Sequence, residues 1–224
     1  SKMPFDHTKY LVRAAVREDA PALLECALSG FLKACPHAQA LTLQRSDAQE
    51  FLRWIIERSL NAPYSVTVYD KSTGKLAGFR LYSVSHRDVS KDFEPFELDC
   101  PSLSDNMQIL GNILDNQKSK IWTLCPNAEK ILRQEITFVD PQFQRQGIAS
   151  HLINMLNIDQ LKIDGFAGIQ SEATSYANQK MLTKQGYIKL SEAAQSEYFW
   201  PDGSPITFPD ETKTVQLFFL TFDR

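Results

Sequence analysis

The residues whose types and order could do chemistry cluster in one stretch, "FVDPQFQRQGIASHL", from Phe138 to Leu152. A strand end runs into Pro141 and then into Gln144, Arg145, Gln146, Gly147, Ile148 and Ala149. A turn that feeds a helix N-terminus presents unpaired backbone N–H groups and the positive end of the helix dipole. Such a place suits a phosphate group. Gly147 takes a Cβ out of the way of an approaching ligand, and Ala149 keeps the first helical turn small. Arg145 adds a charged donor for a phosphate oxygen. The order is neither the GxxxxGK[ST] loop of nucleoside triphosphate sites nor a GxGxxG dinucleotide turn. A pyrophosphate cradle and an ordinary polar strand-to-helix turn closed by glycine both fit these residues.

The elements around the turn can be read from periodicity. Lys9 to Val16 alternates and predicts a first strand. Asp19-Ala20-Pro21 opens a helix with Leu23, Leu24, Ala27, Leu28 and Phe31 at helical spacing, ending before Cys35-Pro36. A second helix begins at Ser46, with Ser46 as cap and Gln49 closing a capping box. "YSVTVYD", "KSTGK" and "LAGFRLYSV" predict an antiparallel hairpin. Residues 85–101 read as polar loop and Ser104 to Gln117 as a helix. "ILRQEITFVD" predicts a strong strand, Ile148 to Ile158 a helix, and "GFAGIQSEA" a buried strand. "YANQKMLTKQG" predicts a short helix capped by Gly186, followed by strands near Tyr187 and from Thr214 to Phe222. The sum is one mixed α/β domain over residues 9–224, built on a single sheet. Residues 1–8 read as a flexible lead-in, with Ser1 and Lys2 ahead of Met3 as a cloning scar.

Composition narrows the function. The 224 residues, 43% hydrophobic, suffice for a sizeable core. A formal charge of −3 gives no electrostatic attraction to nucleic acid or an anionic membrane. The most apolar run, "VQLFFLTF", is only strand length, so no bilayer span is expected. Cys26, Cys35, Cys100 and Cys125 are scattered with no CxxC pair, which predicts reduced thiols in a cytoplasmic protein and no metal site.

With its flanks, the turn resembles a known pattern. An alternating strand ending in "VDP", then Gln144-x-x-Gly147-x-Ala149, then an apolar helix, is similar to the acetyl-CoA motif of the GNAT superfamily of N-acyltransferases. "ANQKMLTKQGYIKL" resembles the second family signature, an Asn-bearing helix ending in a Gly-aromatic pair, here Gly186-Tyr187. "GKLAGFRLYSV", "AEKILRQEITFVDPQFQRQGIASHL" and "SEYFWPDGSPITF" look like the insect-type arylalkylamine (dopamine) N-acetyltransferases. The resemblance implies a mostly antiparallel twisted sheet flanked by helices and splayed at the core strand. It also implies acetyl-CoA as co-substrate, no metal, and a small-molecule amine as acceptor. The pyrophosphate would be held by backbone after Arg145, through Gly147, Ile148 and Ala149, with Gln144, Arg145 and Gln146 as side-chain escorts. Phe138 and Val139 would leave backbone groups free for the pantetheine arm, the Val139 amide meeting the thioester oxygen.

The proton acceptor is where the sequence departs from that family. Its glutamate, in a pattern resembling F-x-x-x-E-P-L, falls on Cys35 in Phe31-Leu32-Lys33-Ala34-Cys35-Pro36-His37. A free alkylamine titrates near about 10.4, so some group must take its proton. Two substitutes are open. Glu135 lies on the core strand, on the face of Thr137 and Val139 by the period-two rule, and a glutamate on this strand serves as base in other GNAT branches. Its alternative role is a carboxylate paired with Lys or Arg. His37 has an ordinary pKa of about 6.5, and its alternative is a surface loop histidine. Two family serines fall on Thr174 and Asn178, and Asn178 is also a candidate contact to the CoA arm. The tyrosine acid of many relatives is replaced by Leu182. The acceptor pocket is expected between the first two helices, the 85–101 loop and the C-terminal hairpin, with Phe31, Tyr64, Phe93, Phe96, Tyr198, Phe199 and Trp200 as aromatic candidates. The resulting expectation is acetyl transfer by direct attack of a small primary amine, of arylalkylamine type, by a monomer. The alternatives are another amine (polyamine, amino sugar or protein amine) and a non-catalytic acyl-CoA-binding module.

Overall fold

A computed structural model describes residues 3–223. Its seven strands are β1 Tyr10–Ala14, β2 Val66–Asp70, β3 Leu76–His86, β4 Lys130–Val139, β5 Gly168–Ala173, β6 Ile188–Ala194 and β7 Thr214–Thr221. They form one sheet in the order β1-β2-β3-β4-β5-β7-β6. Every neighbouring pair is antiparallel except β4 and β5. A parallel pair needs a crossover, and the chain after the Gln144–Ala149 turn supplies it. The mixed, mostly antiparallel sheet is the one the sequence predicts.

The helices are α1 Ala20–Cys26, α2 Leu32–Ala34, α3 Pro36–Ala40, α4 Arg45–Leu60, α5 Asp105–Lys118, α6 Ile121–Leu124, α7 Ile148–Ile153, α8 Ile158–Ile163 and α9 Tyr176–Lys184. A π-helical turn, Ala27–Phe31, joins α1 to α2. One face of the sheet carries α1, the π-helical turn, α4 and α5, whose Leu23, Leu28, Ile56 and Met107 pack on Phe79, Leu81, Ile136 and Phe138. The other face carries α7 on Val68 and Ala77, and α8 and α9 on Tyr82, Leu132 and Ile169.

Three elements differ from the sequence reading. Helix α4 starts at Arg45, with the Asp47 carboxylate accepting from the Gln44 amide at 2.7 Å, so Ser46 lies inside the helix rather than capping it. The helix expected over 148–158 is two, because Asn157 starts a new one by accepting from the Gln160 amide at 3.1 Å. Residues 3–8, read as a flexible lead-in, pack against the turn before α7 (below); the scar reading concerns Ser1 and Lys2, outside the described residues.

Two irregularities of β4 matter most. Its register against β3 steps from Leu81↔Ile136 to Tyr82↔Gln134, which leaves Glu135 as an extra residue. This is a β-bulge, a device that re-aims side chains next to sites. Against β5, pairing covers only Leu132↔Ile169, Arg133↔Gln170 and Gln134↔Ser171. Beyond that rung the two strands separate.

Candidate active site

Glu135 and Glu172 are the first residues past the last rung, one on each arm of the fork. The bulge turns Glu135 and Ile136 toward α1, α4 and α5, where both line one apolar pocket. Thr137 points to the opposite face, its Oγ1 accepting from Arg80 at 3.2 Å and Gln134 at 3.0 Å. Val139 packs on the α7 face. The period-two expectation that Glu135 shares a face with Thr137 and Val139 is therefore overturned, because the extra residue shifts the alternation.

The pocket is walled by Phe31, Cys35, Phe51, Leu52 and Met107, with Glu135, Glu172 and Thr174 at its sheet end. Of the aromatic candidates, Phe31 lines it. Tyr64 instead meets Phe166 edge-on, Tyr198 and Trp200 are partly buried against the core on this face of the sheet, and Phe199 is exposed. The 85–101 loop borders a neighbouring groove through Glu94, Leu98 and Cys100 and does not join the helices in walling this pocket, as it was expected to.

The two carboxyls live in different fields. Ser83 Oγ donates to Glu135 Oε1 at 2.7 Å, and Lys118 Nζ lies 3.8 Å from Oε2, with the side chain only 7% exposed. Burial pushes the Glu135 carboxyl up, but Lys118, Arg133, the Ser83 hydrogen bond and Arg58 outweigh it and hold it below its ordinary value. The Glu172 carboxyl accepts from Gln170 Nε2 at 3.2 Å and from its own backbone N–H. Burial raises its carboxyl, Lys118 and Arg133 oppose, and the charge on Glu135 raises it further, leaving it above the ordinary value. The sequence reading passed over Glu172 because a glutamate ending a buried strand carries no motif; only the register of the fork reveals it.

His37 is neither a surface residue nor a wall of the pocket. It is fully buried, 4.7 Å from the Phe208 ring, and neither ring nitrogen has a hydrogen-bond partner among the described residues. Burial pushes its pKa down to about 4, against the opposing pull of Asp210 and the Thr174 backbone. At neutral pH it is a neutral imidazole and a poor base. Cys35 sits on the pocket wall beside Thr174, and burial pushes its thiol up, so it is a protonated thiol rather than a nucleophilic thiolate. Asn178 lies in the first turn of α9, its amide bonded to the Ser175 cap at 3.3 Å. Leu182 is buried in the core, which leaves no acid at that position.

The backbone of β4 beyond the fork is half open. Asp140 N donates to Ala77 O of the β3 side at 2.9 Å. Alternation along the strand then aims the Phe138 N–H at β3 as well, and the N–H groups of Thr137 and Val139 at the unpaired side. Val139 thus keeps its expected open amide, whereas Phe138 does not. Phe138 instead contributes its ring to the core below the pocket.

The turn after β4 is built from a 3-10 turn, Pro141–Phe143, and two left-handed residues, Arg145 (φ 63°) and Gly147 (φ 78°), before α7. The first amides of α7, at Ile148 and Ala149, have no intrahelical acceptor. Gln144 Nε2 donates to Val139 O at 3.3 Å. Gln146 does not face outward as an escort: its Oε1 accepts from Lys9 Nζ at 2.9 Å and from the Tyr10 hydroxyl. The space in front of Gly147 is also taken. Met3 N donates to Arg145 O at 3.0 Å, and Phe5 stacks on His151 with centroids 4.1 Å apart. A Cβ at Gly147 would stand 2.6 Å from Phe5 N. The glycine therefore admits the chain's own backbone on that side, and the amides of Ile148 and Ala149 remain for an anion. Arg145 is exposed beside them.

Among the described residues no group of His, Cys, Asp and Glu could hold a metal ion, and no helix is long and apolar enough to cross a membrane. No protein-family model and no curated protein sequence matches the chain. Solved structures do. Arylalkylamine N-acetyltransferase 2 of Aedes aegypti superposes over 96% of this chain and 99% of its own, with TM-score 0.78 and 16% identity. The polyamine N-acetyltransferase of Drosophila melanogaster, which forms N-acetylagmatine, matches over 95% and 99%, with TM-score 0.73 and 13% identity. The C-terminal condensation domain of Ebony, solved with β-alanyl-dopamine, matches over 95% and 99%, with TM-score 0.73 and 21% identity. Likeness at these identities establishes the fold, the GNAT fold that the sequence resemblance implied.

Proposed function

We propose that this chain is an acetyl-CoA-dependent N-acetyltransferase that moves the acetyl group directly to the primary amine of a small molecule, an arylalkylamine of biogenic-amine type. The observation that carries this reading is the fork between β4 and β5, which opens two carboxyls onto an apolar pocket and leaves the Val139 amide unpaired further along β4. Phe31, Phe51 and Met107 offer an aromatic acceptor an apolar bed, and the carboxyls offer its ammonium a countercharge. The Val139 amide, on the unpaired side, would donate to the thioester oxygen as charge develops there. The amides of Ile148 and Ala149 and the Arg145 guanidinium would hold the donor's phosphates. The chain acts in this reading as a cytoplasmic monomer without a metal.

The test is release of free CoA thiol from acetyl-CoA with tryptamine, tyramine, dopamine and octopamine, beside agmatine and an amino sugar. Turnover with an arylalkylamine is expected. Turnover with only agmatine or the amino sugar moves the acceptor class, and thermal stabilisation by CoA without any transfer sinks the enzyme reading.

A second reading is favoured by the second carboxyl. One base suffices for acetyl transfer, whereas Glu172 beside Glu135 could also pair with an ammonium on the acyl group itself, as in the β-alanyl moiety bound by the Ebony condensation domain. Acetyl and β-alanyl thioesters compared with dopamine as acceptor separate the two, preference for β-alanyl supporting the second.

A further inference from the structure

The two glutamates at the fork are not equivalent, and their partners divide the work between them. Both oxygens of Glu135 are engaged, Oε1 by the Ser83 hydroxyl and Oε2 by the Lys118 ammonium. A carboxylate held by cations in this way is stabilised as the anion and is a weak proton acceptor. Glu172 is held differently. Arg133 Nε donates to Gln170 Oε1 at 3.2 Å, which orients that amide so that its Nε2 donates to Glu172 Oε1. Beyond that amide and its own backbone N–H, no other residue's side chain hydrogen-bonds or ion-pairs with Glu172 among the described residues, and the carboxyl lines the pocket.

We propose that Glu172, rather than Glu135, is the catalytic residue that takes the proton of the attacking amine, with Glu135 acting on it as a fixed negative neighbour. This rests on the N-acetyltransferase reading above. The bound ammonium gives one proton to the Glu172 carboxylate. The nitrogen lone pair then forms the C–N bond at the thioester carbon, and the C–S electron pair leaves on sulfur. The nitrogen sheds a second proton, which the thiolate takes to become the CoA thiol, and Glu172 returns its own proton to water. The charged and titratable groups around Glu172 are Lys118 from α5, Arg133 and Glu135 from β4, and the Cys35 thiol across the pocket. Burial and Glu135 bring Glu172 closer to the operating pH from below, the direction that improves a general base.

The test pairs kinetics with an activity-independent titration. Glu172→Gln is expected to lower kcat by about 10²- to 10⁴-fold, the usual share of a general base, with the KM for acetyl-CoA unchanged and the acidic limb of the pH profile gone. Glu172→Asp retains a carboxyl and is expected to keep that limb and part of the rate, which separates chemistry from misfolding. Glu135→Gln removes the like charge and is expected to move the limb to lower pH. A Glu172→Gln enzyme with wild-type kcat, or with the acidic limb intact, overturns the proposal, as does loss confined to β-alanyl donors. Should the wild type acetylate no amine, the N-acetyltransferase reading fails, and the ¹³C carboxyl titration of Glu172 still decides the electrostatics. A midpoint above the ordinary glutamate range that falls in Glu135→Gln supports the division between the two residues, and an ordinary, unmoved midpoint overturns it.

Discussion

The ring of Phe138 occupies the volume a side chain at Gly30 would need: a Cβ there would stand 2.6 Å from two ring carbons. Gly30 lies in the π-helical turn Ala27–Phe31, and Phe138 lies on β4 three residues past Glu135. The helix that supplies the pocket wall through Phe31 is thus seated directly on the strand that supplies its floor. Gly30→Val should push the turn and β4 apart, with an overpacking cost of about 1–3 kcal/mol. Urea unfolding is the measurement, and a wild-type midpoint would show that the contact has slack.

His37 makes stability depend on acid. Its folded pKa, about 4, lies below the ordinary value of 6.5, so the unfolded chain binds the proton more readily. The stability it permits is therefore complete above about pH 6.5 and is lost as pH falls toward about 4. The loss amounts to roughly 3 kcal/mol from a difference of that size. His37→Leu, which suits the contact with Phe208, should flatten this part of the profile. Unfolding free energies of both proteins from pH 7 to 4 settle it; parallel curves would assign the acid loss to other groups.

Lys118 holds down both glutamates at the fork. Lys118→Met removes that pull while keeping much of the apolar stem, so both carboxyls should titrate higher. The rising limb of kcat/KM should then shift to higher pH, with the plateau rate reached later. An unmoved limb would argue that neither carboxyl serves as the base.

Gly147 answers to two constraints at once. Its φ of +78° costs an L residue about 1–2 kcal/mol, and any side chain would meet Phe5 N. Gly147→Glu adds negative charge beside the amides that phosphates would use. Calorimetry with acetyl-CoA should then show no measurable binding, and amide exchange at Phe5 should accelerate as residues 3–5 are displaced. Retained binding would place the donor's phosphates elsewhere.

How much was legible in the sequence follows from the range of the forces involved. The hairpin of β2 and β3, helix α5 with its Ser104 cap, and β4 declare themselves because period and turn chemistry act within a few residues. The turn at Gln144–Ala149 was legible for the same reason. The bulge at Glu135 was not, since "RQEITF" alternates acceptably and only the register with β3 shows the extra residue. His37 was misplaced because its burial is made by Phe208 and the backbone near Thr174, far away in the chain. Glu172 acquires meaning only where β5 parts from β4.

That parting also gives the sheet a property of its own. Three rungs join the β1–β4 leaf to the β5–β7–β6 leaf, so past Gln134 the sheet contains an edge strand in its interior, with no need of the charges and prolines that guard exposed edges. The amides of Thr137 and Val139 should consequently exchange with solvent deuterium as readily as those of a rim, although they stand at the centre of a seven-stranded sheet.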